Sequence, residues 1–211
     1  MKREQTEWCQ FYWYDTPLKD LPRILLVGDS IVVGYGWLVA GLLKGRAAVS
    51  FYATSKIVGD PTMYREVALA LADYPVDMIY FNNGLHGLDC GDDLYRRGLE
   101  DFTDYLQLTT KARLFWRNST PVTVQGKPDE FDPRNRIVLR RNEIAEKIML
   151  ARGIPVDNLY GVIVERAEFS AGDSFHYNKK GNAFLAEHVA AYLSEVLPRC
   201  ERTEGITDGQ T

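Results

Sequence analysis

Residues 23–36 read Arg-Ile-Leu-Leu-Val-Gly-Asp-Ser-Ile-Val-Val-Gly-Tyr-Gly, an apolar run followed by a polar turn and a second apolar segment. Four apolar residues in a row, Ile24 to Val27, predict a buried strand of a parallel sheet. Gly28-Asp29-Ser30 then breaks the run, and a helix-like apolar pattern follows. Ser30 is therefore expected at the carboxyl edge of the sheet, where open α/β sheets bind ligands and a helix N-terminus favours negative charge. A serine there can act as a nucleophile; alternatively, Ser30 only caps the helix and Asp29 only shapes the turn.

The rest of the chain alternates between strand and helix patterns. Further strands are predicted at 48–53, 77–81, 112–116 and 154–156, and helices after Pro61 and at 92–109, 136–149 and 179–197. This alternation predicts one three-layer α/β/α domain, flavodoxin-like, with a central parallel sheet, over residues 23–198. We expect residues 1–22 to form an aromatic arm that packs across the domain or, alternatively, offers a platform for sugar stacking, and 199–211 to form a polar tail.

Charge and cysteine usage narrow the class of protein. The 211 residues carry a net charge of −4 without a basic stretch, so neither a nucleic acid nor an anionic membrane is an expected partner. No signal peptide is visible, and no apolar run approaches the ~20 residues that span a bilayer. Cys9, Cys90 and Cys200 lie far apart, which argues against a disulfide framework or a zinc site. The sequence thus predicts a cytoplasmic protein without a metal site.

The three histidines differ in their surroundings. His188 lies on the apolar stripe of the last helix and is predicted to be a core or boundary residue. His86 follows a glycine turn after the third strand, where a purely structural role is an alternative. His176 follows Asp173 by three residues, a spacing that in a turn lets the carboxylate meet the near ring nitrogen. An isolated surface pair would have the same spacing.

Taken in order, the loops at this edge resemble the motif blocks of the SGNH (GDSL) hydrolase family. Gly28-Asp29-Ser30 is similar to the first block, Gly59 to the glycine of the second, and Asp173-Ser-Phe-His176 to the closing Asp-x-x-His block. The third block departs from the usual Gly-x-Asn-Asp, because Gly84-Leu85-His86-Gly87 stands in its place. It resembles a subset of the family that reads Asn-x-Gly-Leu-His, in which Asn82 is part of the motif.

This resemblance implies a serine hydrolase that cleaves carboxylic esters through an acyl-enzyme. Ser30 would be the nucleophile, His176 its base and Asp173 the partner of that base. The backbone N–H groups of Ser30 and Gly59, with a side-chain donor from His86 or Asn82, would form the oxyanion hole, and a neutral imidazole can donate one N–H. Alternatively, Asn82 would orient His86. No cofactor is implied. By analogy with the subset, we expect the partner to be a small-molecule or glycan ester, such as an O-acetyl group on a sugar.

Other polar residues at the edge have two interpretations each. Asn83 and the group after the fourth strand, Asn118, Ser119 and Thr120, are candidates for substrate binding or members of ordinary turns. Two other functions stay open: an SGNH fold that has lost catalysis and retained carbohydrate binding, and a flavodoxin-like nucleotide or FMN module. The latter draws on Gly34 and Gly36, which faintly resemble a phosphate loop, although these glycines fall inside the helix and no lysine follows.

Overall fold

The structure, a computed structural model, describes residues 4–197 of the chain. Its strands are β1 (Cys9–Tyr12), β2 (Arg23–Gly28), β3 (Ala48–Thr54), β4 (Met78–Phe81), β5 (Arg113–Arg117), β6 (Thr123–Val124), β7 (Lys127–Phe131) and β8 (Val156–Asp157). Its α-helices are α1 (Ser30–Leu42), α2 (Pro61–Asp73), α3 (Asp92–Thr109), α4 (Asn135–Ala151), α5 (Leu159–Ile163) and α6 (Lys179–Val196). The predicted tail at 199–211 lies outside the described residues.

The central sheet runs in the order β1-β3-β2-β4-β5-β8, and every neighbouring pair from β3 to β8 is parallel. The chain leaves β2 for β3 on one side and then crosses to β4 on the other. The carboxyl end of β2 is therefore the topological switch point, where loops diverge and leave a crevice in this class of fold. The predicted α/β fold with a mostly parallel sheet is confirmed.

Burial on both faces explains why β2 is a continuous apolar run. Ile24 and Leu26 pack into a core with α1 and α6, whereas Leu25 and Val27 pack into a second core with α2 and α3. All four side chains are fully buried. A central parallel strand covered by helices on both sides needs apolar residues at every position. The end of the apolar run at Val27 therefore marks the end of the buried strand, just before the turn that carries Ser30.

Within residues 4–197, the aromatic arm contributes the one antiparallel strand of the central sheet. β1 pairs with β3, and Phe11 stacks on Tyr52 while Tyr12 stacks on Phe51, with ring centroids 5.0 and 4.8 Å apart. The arm thus packs across the domain, as expected, but as an added edge strand that the sequence did not predict. β1 thus belongs to the same sheet as the strands of residues 23–157 that form its parallel part.

Two other parts differ from the prediction. The polar stretch after β5 contains a small hairpin of β6 and β7, and the last strand lies at Val156–Asp157 and pairs with β5.

Pro61 opens α2 as predicted, and Asp60 caps that helix by accepting the N–H of Thr62. Within residues 4–197, no helix combines the length and the apolar character that crossing a bilayer requires.

Gly34 and Gly36 serve packing inside α1. A Cβ atom on Gly34 would lie 2.5 Å from the side chain of Asn182 in α6, and one on Gly36 would lie 2.8 Å from the ring of Phe51. Both glycines therefore let α1 approach its neighbours closely. They lie after the helix has begun, so they do not form a phosphate-binding loop.

His188 is half-buried at the predicted boundary and makes a pH-dependent contact with buried Asp157, which also accepts the hydroxyl of Tyr80. The hydrogen bond to Asp157 raises the pKa of His188, and burial opposes it only in part. Because the folded state binds this proton more tightly, the stabilisation is complete below about pH 6.5, the ordinary value of a histidine pKa, and is lost as pH rises through the raised pKa.

We expect urea unfolding to show the largest stability advantage of the wild type over His188→Gln at pH 5.5 and a smaller advantage at pH 9. An equal difference in the free energy of unfolding at both pH values would contradict this prediction.

Candidate active site

The turn between β2 and α1 leaves the Ser30 hydroxyl free of helix capping. Asp29 is the N-cap of α1, and its Oδ1 accepts the N–H of Ile31 at 3.0 Å. Ser30 is the first residue of the helix, so its backbone N–H is among those without a partner inside the helix. The alternative in which Ser30 merely caps the helix is therefore wrong, since Asp29 takes that role.

A hydrogen-bonded chain joins Ser30, His176 and Asp173. The Oγ of Ser30 lies 2.8 Å from Nε2 of His176, and Nδ1 of the same ring lies 2.8 Å from Oδ2 of Asp173. An ionised carboxylate can only accept, so the proton of the neutral ring sits on Nδ1 and the lone pair of Nε2 faces the hydroxyl. This is the arrangement in which an imidazole can take a proton from a serine.

The loop of Asp173 fixes both ends of its carboxylate. Oδ1 accepts the backbone N–H groups of Phe175 and His176 at 2.8 and 2.7 Å, while Oδ2 accepts the ring of His176. Burial would raise the pKa of Asp173, but the two backbone hydrogen bonds and the His176 ring together outweigh it and lower the pKa below its usual value. Asp173 therefore stays ionised at neutral pH and holds His176 in one tautomer.

Gly59 lies in the loop between β3 and α2 with φ of 85°, a conformation that favours glycine. Asn83 holds this loop: its Oδ1 accepts the N–H of Val58 at 3.1 Å and its Nδ2 donates to the carbonyl of Lys56 at 2.6 Å. Gly98 in α3 packs against the same backbone, because a Cβ there would lie 2.6 Å from the Val58 carbonyl oxygen. Asn83 is therefore buried and supports the loop from inside, which corrects its prediction as a substrate-binding residue.

Asn82 is not placed to donate to a substrate. Its Nδ2 already donates to the Arg117 carbonyl at 2.8 Å and to the Ser119 hydroxyl at 3.1 Å, and the residue is 1% exposed. An amide nitrogen has two hydrogens, and both are used inside the protein. This corrects the prediction of Asn82 as a candidate oxyanion donor and leaves His86 as the side-chain candidate of the third block.

The residues after β5 are also interior. Asn118, Ser119 and Thr120 are buried. Asn118 donates to Glu146 in α4 at 2.7 Å, and the N–H of Ser119 donates to Asn142 at 2.8 Å. The Asn118 side chain and the Ser119 backbone thus tie the end of β5 to α4. All three residues are interior instead of lining the site, contrary to their prediction as substrate-binding residues.

Arg141 in α4 positions the third block and was not singled out from the sequence. Its Nη1 donates to the carbonyls of Gly84 and His86 at 2.9 and 2.8 Å, and its guanidinium lies over the ring of Tyr95 at 4.5 Å. Arg141 is fully buried. The sequence does carry a signal for Arg141, because the apolar pattern of α4 places this arginine on the side that faces the core. Burying an arginine there costs free energy unless its charge has partners.

Ser30 and His176 open into a shallow cavity of about 510 Å³. Trp8, Gln10, Val33, Gly34 and His86 line the rest of it. The N-terminal arm thus supplies one wall, through Trp8 and Gln10, and the third block supplies another. The Nδ1 of His86 lies 2.6 Å from a carboxylate oxygen of Glu4, also on the arm. Among residues 4–197, no group of three histidine, cysteine or acidic side chains could hold a metal ion.

Comparison with known proteins identifies the fold through solved structures. A scan against protein-family models finds no match, and a comparison with curated protein sequences finds none either. The aryl esterase of M. smegmatis is 15% identical with a TM-score of 0.68, over 83% of this chain and 100% of that one. A member of the lipolytic G-D-S-L family from Veillonella parvula is 17% identical with a TM-score of 0.64, over 82% and 99%. Est24, a carbohydrate acetylesterase from Sinorhizobium meliloti, is 13% identical with a TM-score of 0.64, over 82% and 99%.

These structures share the α/β/α architecture with this chain over nearly their whole length. The α/β/α fold that the sequence motifs led us to expect is therefore confirmed. With Ser30 at the switch point of the sheet and Asp173 and His176 beside it, the chain has the fold of the SGNH (GDSL) hydrolases.

Proposed function

We propose that this protein is a serine esterase of the SGNH type that cleaves carboxylic esters through an acyl-enzyme. The observation that carries the proposal is the hydrogen-bonded chain from Ser30 through His176 to Asp173, with both distances at 2.8 Å, in an open cavity. A hydroxyl, a base within hydrogen-bond reach and a group that fixes the tautomer of the base are what acyl transfer by a serine needs.

In the proposed cycle, Ser30 attacks the ester carbonyl while Nε2 of His176 accepts the proton of the hydroxyl. Asp173 stabilises the imidazolium that forms. The tetrahedral oxyanion accepts hydrogen bonds from the backbone N–H groups of Ser30 and Gly59 and from His86. His176 then gives its proton to the leaving alcohol, and water hydrolyses the acyl-enzyme with His176 again as the base.

For the substrate, we propose short-acyl esters of carbohydrates, chiefly acetyl esters. Two observations favour this class. The cavity is shallow and carries the indole of Trp8 beside Ser30, an aromatic surface that suits stacking of a sugar ring. Est24, which shares the fold, is a carbohydrate acetylesterase.

The test is hydrolysis of the p-nitrophenyl acetate, butyrate and octanoate esters, followed by release of acetate from acetylated xylan. We expect the acetyl ester to give the highest kcat/KM and xylan to be deacetylated. Preference for the octanoate ester would reject the short-acyl substrate and keep the esterase. Binding of the glycan without turnover of any ester would instead favour a carbohydrate-binding protein.

A paired glycine experiment tests the proposed oxyanion role of the Gly59 loop. In Gly98→Ala the new methyl group meets the Val58 carbonyl, so the loop must move, and a misplaced donor costs about 10- to 100-fold in kcat. Gly41→Ala is the matched control: it lies in α1 with open space around it, and it should stabilise the protein by up to about 1 kcal/mol without loss of activity. A Gly98→Ala enzyme that folds and keeps its kcat would exclude a catalytic role for this loop.

A further inference from the structure

We propose that Glu4 is a positioning residue that makes His86 a charged donor to the oxyanion, so that the N-terminal arm completes the active site. The inference rests on the proposed esterase function. It goes further, because it assigns a role to a segment outside the SGNH motif blocks and specifies the protonation state in which His86 acts.

The arm holds the His86 ring on two sides. Its Nδ1 lies 2.6 Å from Oε1 of Glu4, and the indole of Trp8 meets the ring edge-to-face with centroids 6.1 Å apart. His86 is only 16% exposed, although Glu4 itself is 44% exposed. Contacts of this kind fix the plane of an imidazole and leave its second nitrogen, Nε2, without a hydrogen-bond partner among the described residues.

The arm is itself anchored to the sheet next to this contact. The backbone N–H of Trp8 donates to the Ser55 hydroxyl at 2.9 Å, and the Trp8 carbonyl accepts the backbone N–H of Ser55 at 3.1 Å. On the other side, Arg141 holds the carbonyl of His86 at 2.8 Å. Both the backbone and the ring of His86 are therefore fixed, which is what a preorganised oxyanion donor requires.

The carboxylate decides which proton His86 can offer. Because Glu4 only accepts when ionised, the neutral ring must carry its single proton on Nδ1, and its Nε2 then has a lone pair that cannot donate. The expectation that a neutral imidazole supplies the N–H therefore fails at Nε2. His86 can donate to an oxyanion from Nε2 only as the imidazolium, and a charged donor of this kind forms a hydrogen bond about twice as strong as a neutral one.

Turnover of p-nitrophenyl acetate by two single variants and their double variant tests the coupling. Glu4→Gln removes the charge, and we expect kcat to fall about tenfold with little change in KM. His86→Asn supplies a neutral amide donor that does not need Glu4, so adding Glu4→Gln to it should change kcat less than twofold. Glu7→Gln is the matched control, because Glu7 lies on the same arm and pairs with Lys56 at 3.5 Å; it should keep full activity. An equal loss from Glu4→Gln in both backgrounds would overturn the proposal.

A second measurement does not depend on activity. The chain has three histidines, so the side-chain ¹⁵N signals of His86 can be assigned by substitution. We expect both ring nitrogens of His86 to carry protons in the wild type and in Glu7→Gln, and only one of them in Glu4→Gln. A neutral His86 in the wild type would overturn this inference and leave the esterase intact, whereas absent ester turnover with a charged His86 would reject only the proposed function.

Discussion

Replacing Ser30 with alanine is expected to lower kcat for p-nitrophenyl acetate by about 10⁴- to 10⁶-fold. The hydroxyl at 2.8 Å from His176 is the group that attacks in the proposed cycle, and alanine has nothing to replace it. The residue lies at the first position of α1, and Asp29 rather than Ser30 caps that helix. The free energy of unfolding should therefore change little.

Labelling with a fluorophosphonate accompanies the rate measurement, because it reports the nucleophile directly. The wild type should acquire one adduct, on the peptide that contains Ser30, and Ser30→Ala should acquire none. Ser174→Ala is a matched control, since Ser174 belongs to the Asp-x-x-His loop but is not part of the hydrogen-bonded chain. Turnover of Ser30→Ala within tenfold of the wild type would reject the serine mechanism.

The sequence predicts a strand or helix well where the burial pattern of that element is visible in its own residues. β2 is recognisable because four consecutive side chains are buried on both faces, and α3 because its apolar residues recur with the helical period. β1 is not recognisable, because Cys-Gln-Phe-Tyr is short and its partner strand lies about 40 residues further on. The hairpin strand Lys127–Phe131 is polar and largely exposed, so it carries no apolar alternation.

The candidate site likewise contains residues that the sequence predicts and residues whose roles it does not reveal. Ser30, Asp173 and His176 follow from local signals, since a strand end places the serine and a three-residue spacing pairs the histidine with its carboxylate. The sequence locates polar residues at the end of a strand but does not reveal which way their side chains point. At Asn82 the amide turns inward because the Arg117 carbonyl needs a partner, and at Asn118 it turns inward to bond the Glu146 side chain.

The contact between Glu4 and His86 could not have been found from local patterns. The two residues are 82 positions apart, and a single glutamate near the start of a chain is indistinguishable from a solvated one. The contact depends on β1, which brings the arm alongside β3 and so to the rim of the cavity. Because the sequence did not predict β1, it could not predict that Glu4 lies beside His86.

Asp173→Asn should lower kcat by about 10⁴-fold, the effect of the corresponding change in serine proteases, while leaving the loop folded. The reason lies in the two ends of the carboxylate. Oδ1 accepts two backbone N–H groups, so asparagine must place its oxygen there and its NH₂ group toward His176. That group donates to Nδ1 of the ring, the ring proton moves to Nε2, and the lone pair that should receive the proton of Ser30 is lost.

Comparison with Asp173→Ala separates the tautomer from the fold of the loop. Alanine removes the hydrogen bonds to both backbone N–H groups and should lower the thermal midpoint, whereas asparagine should keep it close to that of the wild type. Alanine leaves His176 free to adopt either tautomer, so its kcat should exceed that of the asparagine variant even though its loop is less stable. A rate for Asp173→Asn within tenfold of the wild type would show that Asp173 does not fix the tautomer. The order of the two rates, opposite to the order of the two stabilities, is what distinguishes an orienting carboxylate from a merely structural one.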